Sequence, residues 1–158
     1  MAGSRKISVP GLIFASLLSL AAGSVGALLA GGNFGLYGML NLPPLSPPPA
    51  VFGIVWTVLY LLMGAASYFI HNSGSADSGG ALGLYVLYLV TNILWPAAFF
   101  GKGAFLLSFF LICAQILLIL ACFSAYRKIS ALAAWLIFPT IIWSFFALYL
   151  NGGVLFLN

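Results

Sequence analysis

Charge is what this chain of 158 residues has least of: five Lys or Arg, one acid and one His, so that only 4% of residues are charged, against roughly a quarter in a soluble domain. Six charges cannot keep a 16.7 kDa particle dispersed in water, and a soluble monomer is excluded. A single His, His71, and a single acid, Asp77 in a polar linker, cannot assemble a catalytic triad. His71 closes the second apolar run without an acidic or Cys neighbour and reads as an interfacial residue. Two cysteines, Cys113 and Cys122, lie in one apolar run without metal-ligand spacing, so no metal site is expected and both thiols read as small hydrophobes. The net charge of +4 rests on five residues and reads as membrane orientation; no nucleic-acid partner is expected.

What the chain has in abundance is apolar length, with 64% hydrophobic residues. Lipid is therefore the expected solvent and the bilayer the first partner. A hydrocarbon core about 30 Å thick takes roughly 20 apolar residues per helix, because backbone polar groups must be paired within the segment. Five runs qualify, 7–30, 51–70, 82–100, 104–125 and 129–150, and none contains Asp, Glu, Lys, Arg or His. The first follows Arg5 and Lys6 but exceeds the roughly 7–15 residues of a signal-peptide core, so it reads as a retained span. The expectation is an all-α membrane protein, a single domain over 1–158, built as a bundle of five transmembrane helices with a proline-rich loop between the first two.

The connections differ in kind. Gly31-Gly32-Asn33-Phe34-Gly35 opens the longest one, which ends in Pro43-Pro44-Leu45-Ser46-Pro47-Pro48-Pro49, too rich in proline to be helical before its last residue and stiff by composition. The stretch 72–80 is a Gly/Ser linker. Gly101-Lys102-Gly103 and Tyr126-Arg127-Lys128 read as tight turns, which makes helices three, four and five successive antiparallel neighbours. Arg5, Lys6, Arg127 and Lys128 then share one side and Lys102 stands alone on the other. By the positive-inside rule the N-terminus faces the cytoplasm, and the proline-rich loop and C-terminus face away from it.

Ionisable residues inside spans mark proton and ion pathways, and their absence here argues against a proton-coupled pump, a charged-ring channel or a voltage sensor. The polar groups that do lie inside are neutral. Trp56 and Tyr60 share a helix face at i and i+4, Asn92 and Trp95 at i and i+3, and Trp143 and Tyr149 lie in the fifth run. Trp135 and Tyr126, near span ends, read as belt aromatics at headgroup level. Trp56, Trp95 and Trp143 stand deeper and toward the leaflet of the proline-rich loop. Flat aromatics with an amide among them suit a large planar ligand, stacking supplying contact and the amide orientation. Pro96 and Pro139 remove backbone donors in mid-run. Gly23, Gly26, Gly64, Ala65 and Ala66 permit close helix approach.

These segments resemble the TspO/MBR family, the translocator protein or peripheral benzodiazepine receptor group. Its loop pattern, W-Y-x-x-L-x-K-P-x-W-x-P-P, is matched by Leu36-Tyr37-Gly38-Met39-Leu40-Asn41-Leu42-Pro43-Pro44-Leu45-Ser46-Pro47-Pro48, followed by Phe52 and Trp56-Thr57-Val58-Leu59-Tyr60. Asn92-Ile93-Leu94-Trp95, then Trp135, Pro139, Trp143, Leu150-Asn151 and Leu157-Asn158, match its third and fifth helices. The resemblance implies a five-helix bundle and homodimer that binds tetrapyrroles such as protoporphyrin IX and haem, and in some members sterols or benzodiazepine-type ligands. It places the ligand under the first loop, against Tyr37, Trp56, Tyr60, Asn92, Trp95, Trp143 and Ala147. Porphyrin or haem would be ligand and not required cofactor. Leu36, Leu42 and Leu45 replace the family's two loop Trp residues and its Lys, removing aromatic cover and a cation that could meet a porphyrin carboxylate, so a less polar ligand suits this loop better. Tyr149 has no basic residue after it, so the proposed sterol motif is incomplete. Two other functions compete with sensing, sequestration or transport of such a ligand. One is light-dependent porphyrin degradation, with Trp56 and Trp143 as oxidisable aromatics and no conventional catalytic residue; the other is a structural or partner-binding role.

Overall fold

The computed structural model describes residues 6–158; Arg5, counted above for orientation, lies outside them. Five helices cross end to end: α1 (Val9–Leu29), α2 (Pro49–Asn72), α3 (Ser78–Pro96), α4 (Phe105–Ile129) and α5 (Ala131–Leu157). A 3₁₀ helix, Asn33–Met39, opens the first loop, and a π-helical turn, Ala97–Gly101, extends α3. All five are long and apolar enough to span a bilayer, with α3 and its extension counted together.

Local chemistry sets the ends. Ser8 caps α1, its Oγ accepting from the Gly11 N–H at 3.3 Å, and Gly31 and Gly32 end it in left-handed conformation that a Cβ would disfavour. Pro49 starts α2 at a position where the missing N–H costs nothing. The tight turn expected at Tyr126-Arg127-Lys128 is helical instead: α4 runs to Ile129 and reverses at Ser130 alone. Ser130 donates its N–H to the Tyr126 carbonyl at 2.7 Å, and its Oγ accepts from Ala133 N–H at 3.3 Å. Arg127 and Lys128 thereby sit on the last turn of α4, where cations meet the negative end of the helix dipole. The fifth helix also outruns its expected end at residue 150, because Asn151 and Gly152 are buried against α4 and continue the coil.

Around the bundle the helices follow the order α1, α2, α5, α4, α3 and close on α1 again. Hydrocarbon cannot drive helices together, so close approach depends on small residues. A Cβ on Gly64 would fall on the α1 backbone at Ala15 and Ser16. One on Gly26 would lie 3.3 Å from Ile93 Cα of α3, and one on Gly23 would run into the Tyr60 ring.

The two halves of this ring differ. At the end away from the first loop the centre is solid, with Met63, Ile70, Tyr85, Tyr88, Ile119, Cys122, Tyr126, Ile137 and Ile141 in one cluster. Tyr126 belongs to it and is wholly buried, not turned outward as a belt aromatic would be, on a helix that continues past it to Ile129. Trp135 is 63% exposed on the outer surface. Cys122 is buried and Cys113 half-buried, both free. At the loop end the bundle is hollow.

Replacing Gly64 by Leu should separate α1 from α2 and cost about 2–3 kcal/mol, the range for overpacking against backbone that cannot yield. In a thermal melt in detergent that is a loss of roughly 5–10 °C for a chain of this size. Gly83→Ala, where a Cβ meets nothing within 4 Å, should leave the midpoint unchanged or slightly raised.

Candidate functional site

Beneath the first loop the helices part around a cavity of about 380 Å³, near the lower end of the roughly 300–1,000 Å³ of small-molecule sites. Every helix contributes. Gly23 and Ala27 come from α1, Phe52, Trp56 and Tyr60 from α2, Asn92 and Trp95 from α3, Ile112 and Gln115 from α4, and Ala147, Leu150 and Asn151 from α5. Tyr37, Leu42 and Ser46 close it from the loop.

Of the residues singled out from sequence, Tyr37, Trp56, Tyr60, Asn92, Trp95 and Ala147 line this one space. Trp143 does not. One turn below Ala147, it meets Phe52 edge-on at 6.0 Å, and Phe52 meets Tyr37 edge-on at 5.4 Å. Trp143 thus stands behind Phe52 as a support for the wall, its indole N–H buried without a partner.

The aromatic walls are arranged by backbone. Trp56 and Tyr60, one helical turn apart, hold their rings at 5.6 Å and 34°. On α3 and its extension Trp95 stacks on Phe99 at 5.0 Å and 24°, and meets Phe100 edge-on at 5.8 Å. The second contact follows from the π-helical turn, whose i to i+5 spacing brings residue 100 back over residue 95. Pro96, with no N–H, leaves the Asn92 carbonyl without its α-helical donor and marks where the wider turn begins.

The polar groups of the wall are neutral amides and phenols whose orientations are forced. Asn92 donates Nδ2–H to the Tyr88 carbonyl at 3.1 Å, which can only accept, so its Oδ1 faces the Tyr60 hydroxyl at 3.4 Å. Gln115 donates Nε2–H to the Thr91 carbonyl at 3.0 Å. Ser108 gives its one proton to the Phe105 carbonyl at 2.8 Å and therefore accepts from Asn151 Nδ2 at 3.0 Å. Among the described lining residues there is no cation, acid or His. Gln115 was not legible as a site residue: it is a lone amide in an apolar run, and only its seven-residue spacing from Ser108, which puts both on one helix face, hints at it.

The loop is fastened at both ends. Asn33 donates Nδ2–H to the Phe100 carbonyl at 3.1 Å, with Phe34 against Phe100 at 5.2 Å. At the other end Asn41 N–H donates to Asn158 Oδ1 at 2.9 Å and Asn158 Nδ2–H to the Asn41 carbonyl at 3.0 Å, a reciprocal pair like a rung of sheet. Tyr149 O–H donates to the Pro44 carbonyl at 2.8 Å, and Gly153 has no Cβ where the Pro43 ring lies. Tyr37 O–H donates to the Pro47 carbonyl at 3.0 Å; burial raises its pKa, with Ser46 opposing in part, so it stays a neutral donor. Leu45, at φ 67°, occupies the left-handed region at the tip of the turn and is 83% exposed, a strained conformation for a residue with a branched side chain.

Residues 15–157 match the TspO/MBR family. The chain is similar to the tryptophan-rich protein TspO of Chlorobaculum tepidum, 32% identical over 124 residues covering 77% of this chain and 78% of that one. It is similar to the translocator protein of Bos taurus, 35% identical over 150 residues covering 90% and 86%. It is also 33% identical to the tryptophan-rich sensory protein of Cereibacter sphaeroides over 135 residues, covering 85% and 83%. The chain belongs to the TspO/MBR family and is an integral, multi-pass membrane protein.

The Asn41–Asn158 pair should govern opening of the loop. In Asn158→Ala both bonds of the pair are lost, and with about 1 kcal/mol per neutral hydrogen bond exchange of the Asn41 amide with solvent deuterium should quicken by roughly five- to thirtyfold. Amides around the buried Tyr88 should exchange as before, which separates loop release from general unfolding.

Proposed function

We propose that this member of the TspO/MBR family binds a flat, largely apolar ligand, a tetrapyrrole or a molecule of similar shape, in the cavity under the proline-rich loop, for sensing, sequestration or transport. The observation that carries this reading is the aromatic lining that two helices give one space. Trp56 with Tyr60 on α2 and Trp95 with Phe99 on α3 line it, and their rings offer stacking contact to a planar ligand. Asn92 between them offers orientation. The loop, tied to α5 and to the π-helical turn, excludes water once the ligand is in. In orientation, Lys6, Arg127 and Lys128 belong to the packed end and Lys102 to the hollow one, so the cavity opens on the side away from the cytoplasm.

Protoporphyrin IX titrated into the purified protein in detergent should quench tryptophan fluorescence saturably. Trp56→Leu and Trp95→Leu should each weaken binding by about tenfold or more, the scale of a lost aromatic stacking contact together with its buried area. Trp135→Leu, on the outer surface, should leave affinity unchanged. Equal affinity in all three variants would place the ligand elsewhere.

A further inference from the structure

Away from the cavity, at the packed end of the bundle, α4 and α5 share an aromatic patch on their outer side. Phe123 meets Trp135 edge-on at 6.3 Å and Phe138 at 5.9 Å, and Trp135 meets Phe138 at 5.2 Å. With Trp135 largely exposed, the patch faces outward and not into the bundle. Arg127 does not reach straight out into water. Its guanidinium is turned back along α4 and lies 5.9 Å from the centre of the Phe123 ring, one helical turn deeper. Ser124, Arg127 and Lys128, at i, i+3 and i+4, share one helix face, and together with Phe123 they line a shallow groove. Ser19, Ser24, Ser67, Ser108 and Ser144 each donate to a carbonyl of the preceding turn. Ser124, exposed in the groove, has no such bond among the described residues and keeps its proton free.

Helix length sets the depth of this group. The 25 residues of α4 make about 37 Å against a hydrocarbon core of about 30 Å, so each end projects about 4 Å into the headgroup layer. Arg127 and Lys128, on the last turn, stand in that layer, with Phe123 and Trp135 just beneath it. The chain has one acid, Asp77, so at least two of Lys6, Arg127 and Lys128 have no side-chain carboxylate to pair with at this end. A phosphate supplies the missing charge. A free phosphate ion would use the cations and gain nothing from the aromatic patch, whereas a phospholipid uses both. A lipid of net negative charge also avoids setting its own ammonium group against Arg127 and Lys128.

We propose that this outer face of α4 and α5 is a binding site for an anionic phospholipid: Arg127 and Lys128 meet the headgroup phosphate, Ser124 donates to a phosphate or ester oxygen, and an acyl chain lies against Phe123, Trp135 and Phe138. The site is separate from the cavity and does not depend on what the cavity binds.

Quenching of Trp135 by brominated acyl chains tests it. The protein is reconstituted into vesicles of equal parts dioleoylphosphatidylglycerol and dioleoylphosphatidylcholine, with one or the other brominated across its double bonds. The quenching lost in Trp135→Phe is the share of that indole. Wild-type protein should prefer the phosphatidylglycerol at Trp135 by about tenfold, the scale of two cations held near an anionic headgroup. In Arg127→Gln combined with Lys128→Gln the ratio should fall near one while brominated phosphatidylcholine still quenches, which reports a folded patch open to lipid. Ser124→Ala keeps both charges and should lower the ratio by about threefold, the scale of one hydrogen bond. Lys6→Gln removes a cation of the same end that precedes α1, off the groove, and should leave the ratio within about twofold of wild type, since charges beyond a Debye length of roughly 8 Å are screened. A wild-type ratio near one overturns the proposal, as does an unchanged ratio in Ser124→Ala. An equal loss in Lys6→Gln would mark a general surface potential and no site. Failure of both brominated lipids to reach Trp135 would mark a face covered by a second copy of the chain, and overturns it too.

Discussion

A polar group in hydrocarbon has no water to fall back on, and in this bundle that constraint reaches from backbone to ligand. It first dictates helices, since only there are all backbone groups paired within one segment. It then decides what the side chains between the helices can be. With no ionisable residue in any of the five apolar runs, each buried hydroxyl and amide needs a neutral partner close by, and most find one on a backbone carbonyl: Ser108 on Phe105, Gln115 on Thr91, Ser144 on Thr140, Asn92 on Tyr88. Carbonyls accept and never donate, so this habit fixes which way Asn92 and Gln115 turn. The orientation of those amides beside the cavity is thus a by-product of how the bundle satisfies itself.

The same constraint explains which parts of the fold could be read in advance. Five long uncharged runs separated by Gly, Pro and Ser give the helix count directly, because the alternative, irregular backbone in lipid, is so costly. The ends were harder. Tyr126-Arg127-Lys128 looks like a turn on composition, yet two cations are welcome on a helix's last turn, and a phenol can be drawn wholly inside. Asn151-Gly152-Gly153 looks like an exit from the membrane, but Asn151 bonds Ser108, Gly152 meets Phe109 and Gly153 makes room for Pro43. A local reading sees polarity and small size; only the tertiary contacts show that both serve burial.

The site followed the same division. Aromatics spaced by one helical turn announce a shared face, and Trp56 with Tyr60 or Asn92 with Trp95 need only the period of the helix to be grouped. Trp143 has the same sequence credentials and a different position, because Phe52 of another helix stands between it and the cavity, and no spacing within α5 contains that information. Phe100 was unreadable for a complementary reason. It reaches Trp95 because the helix widens after Pro96, whereas Phe99, at i+4, shares the face of Trp95 on an ordinary helical wheel.

The position of Trp143 also bears on the reading in which the family's ligand is degraded under light. Photo-oxidation by an excited macrocycle falls with distance and orientation, so indoles that line the cavity and one that stands behind its wall are not equivalent partners. Trp56 and Trp95 lie on the surface a ligand would touch, whereas Trp143 is screened by Phe52, with its N–H buried and unpartnered. If such chemistry runs in this protein, the macrocycle and oxygen supply it, and the indole at risk is Trp56 or Trp95. Trp143 would act through Phe52, by holding the wall against which the ring lies. The same screening gives Trp143 a reason to be present in a protein that only binds: an edge-on ladder from Trp143 through Phe52 to Tyr37 ties the fifth helix to the loop.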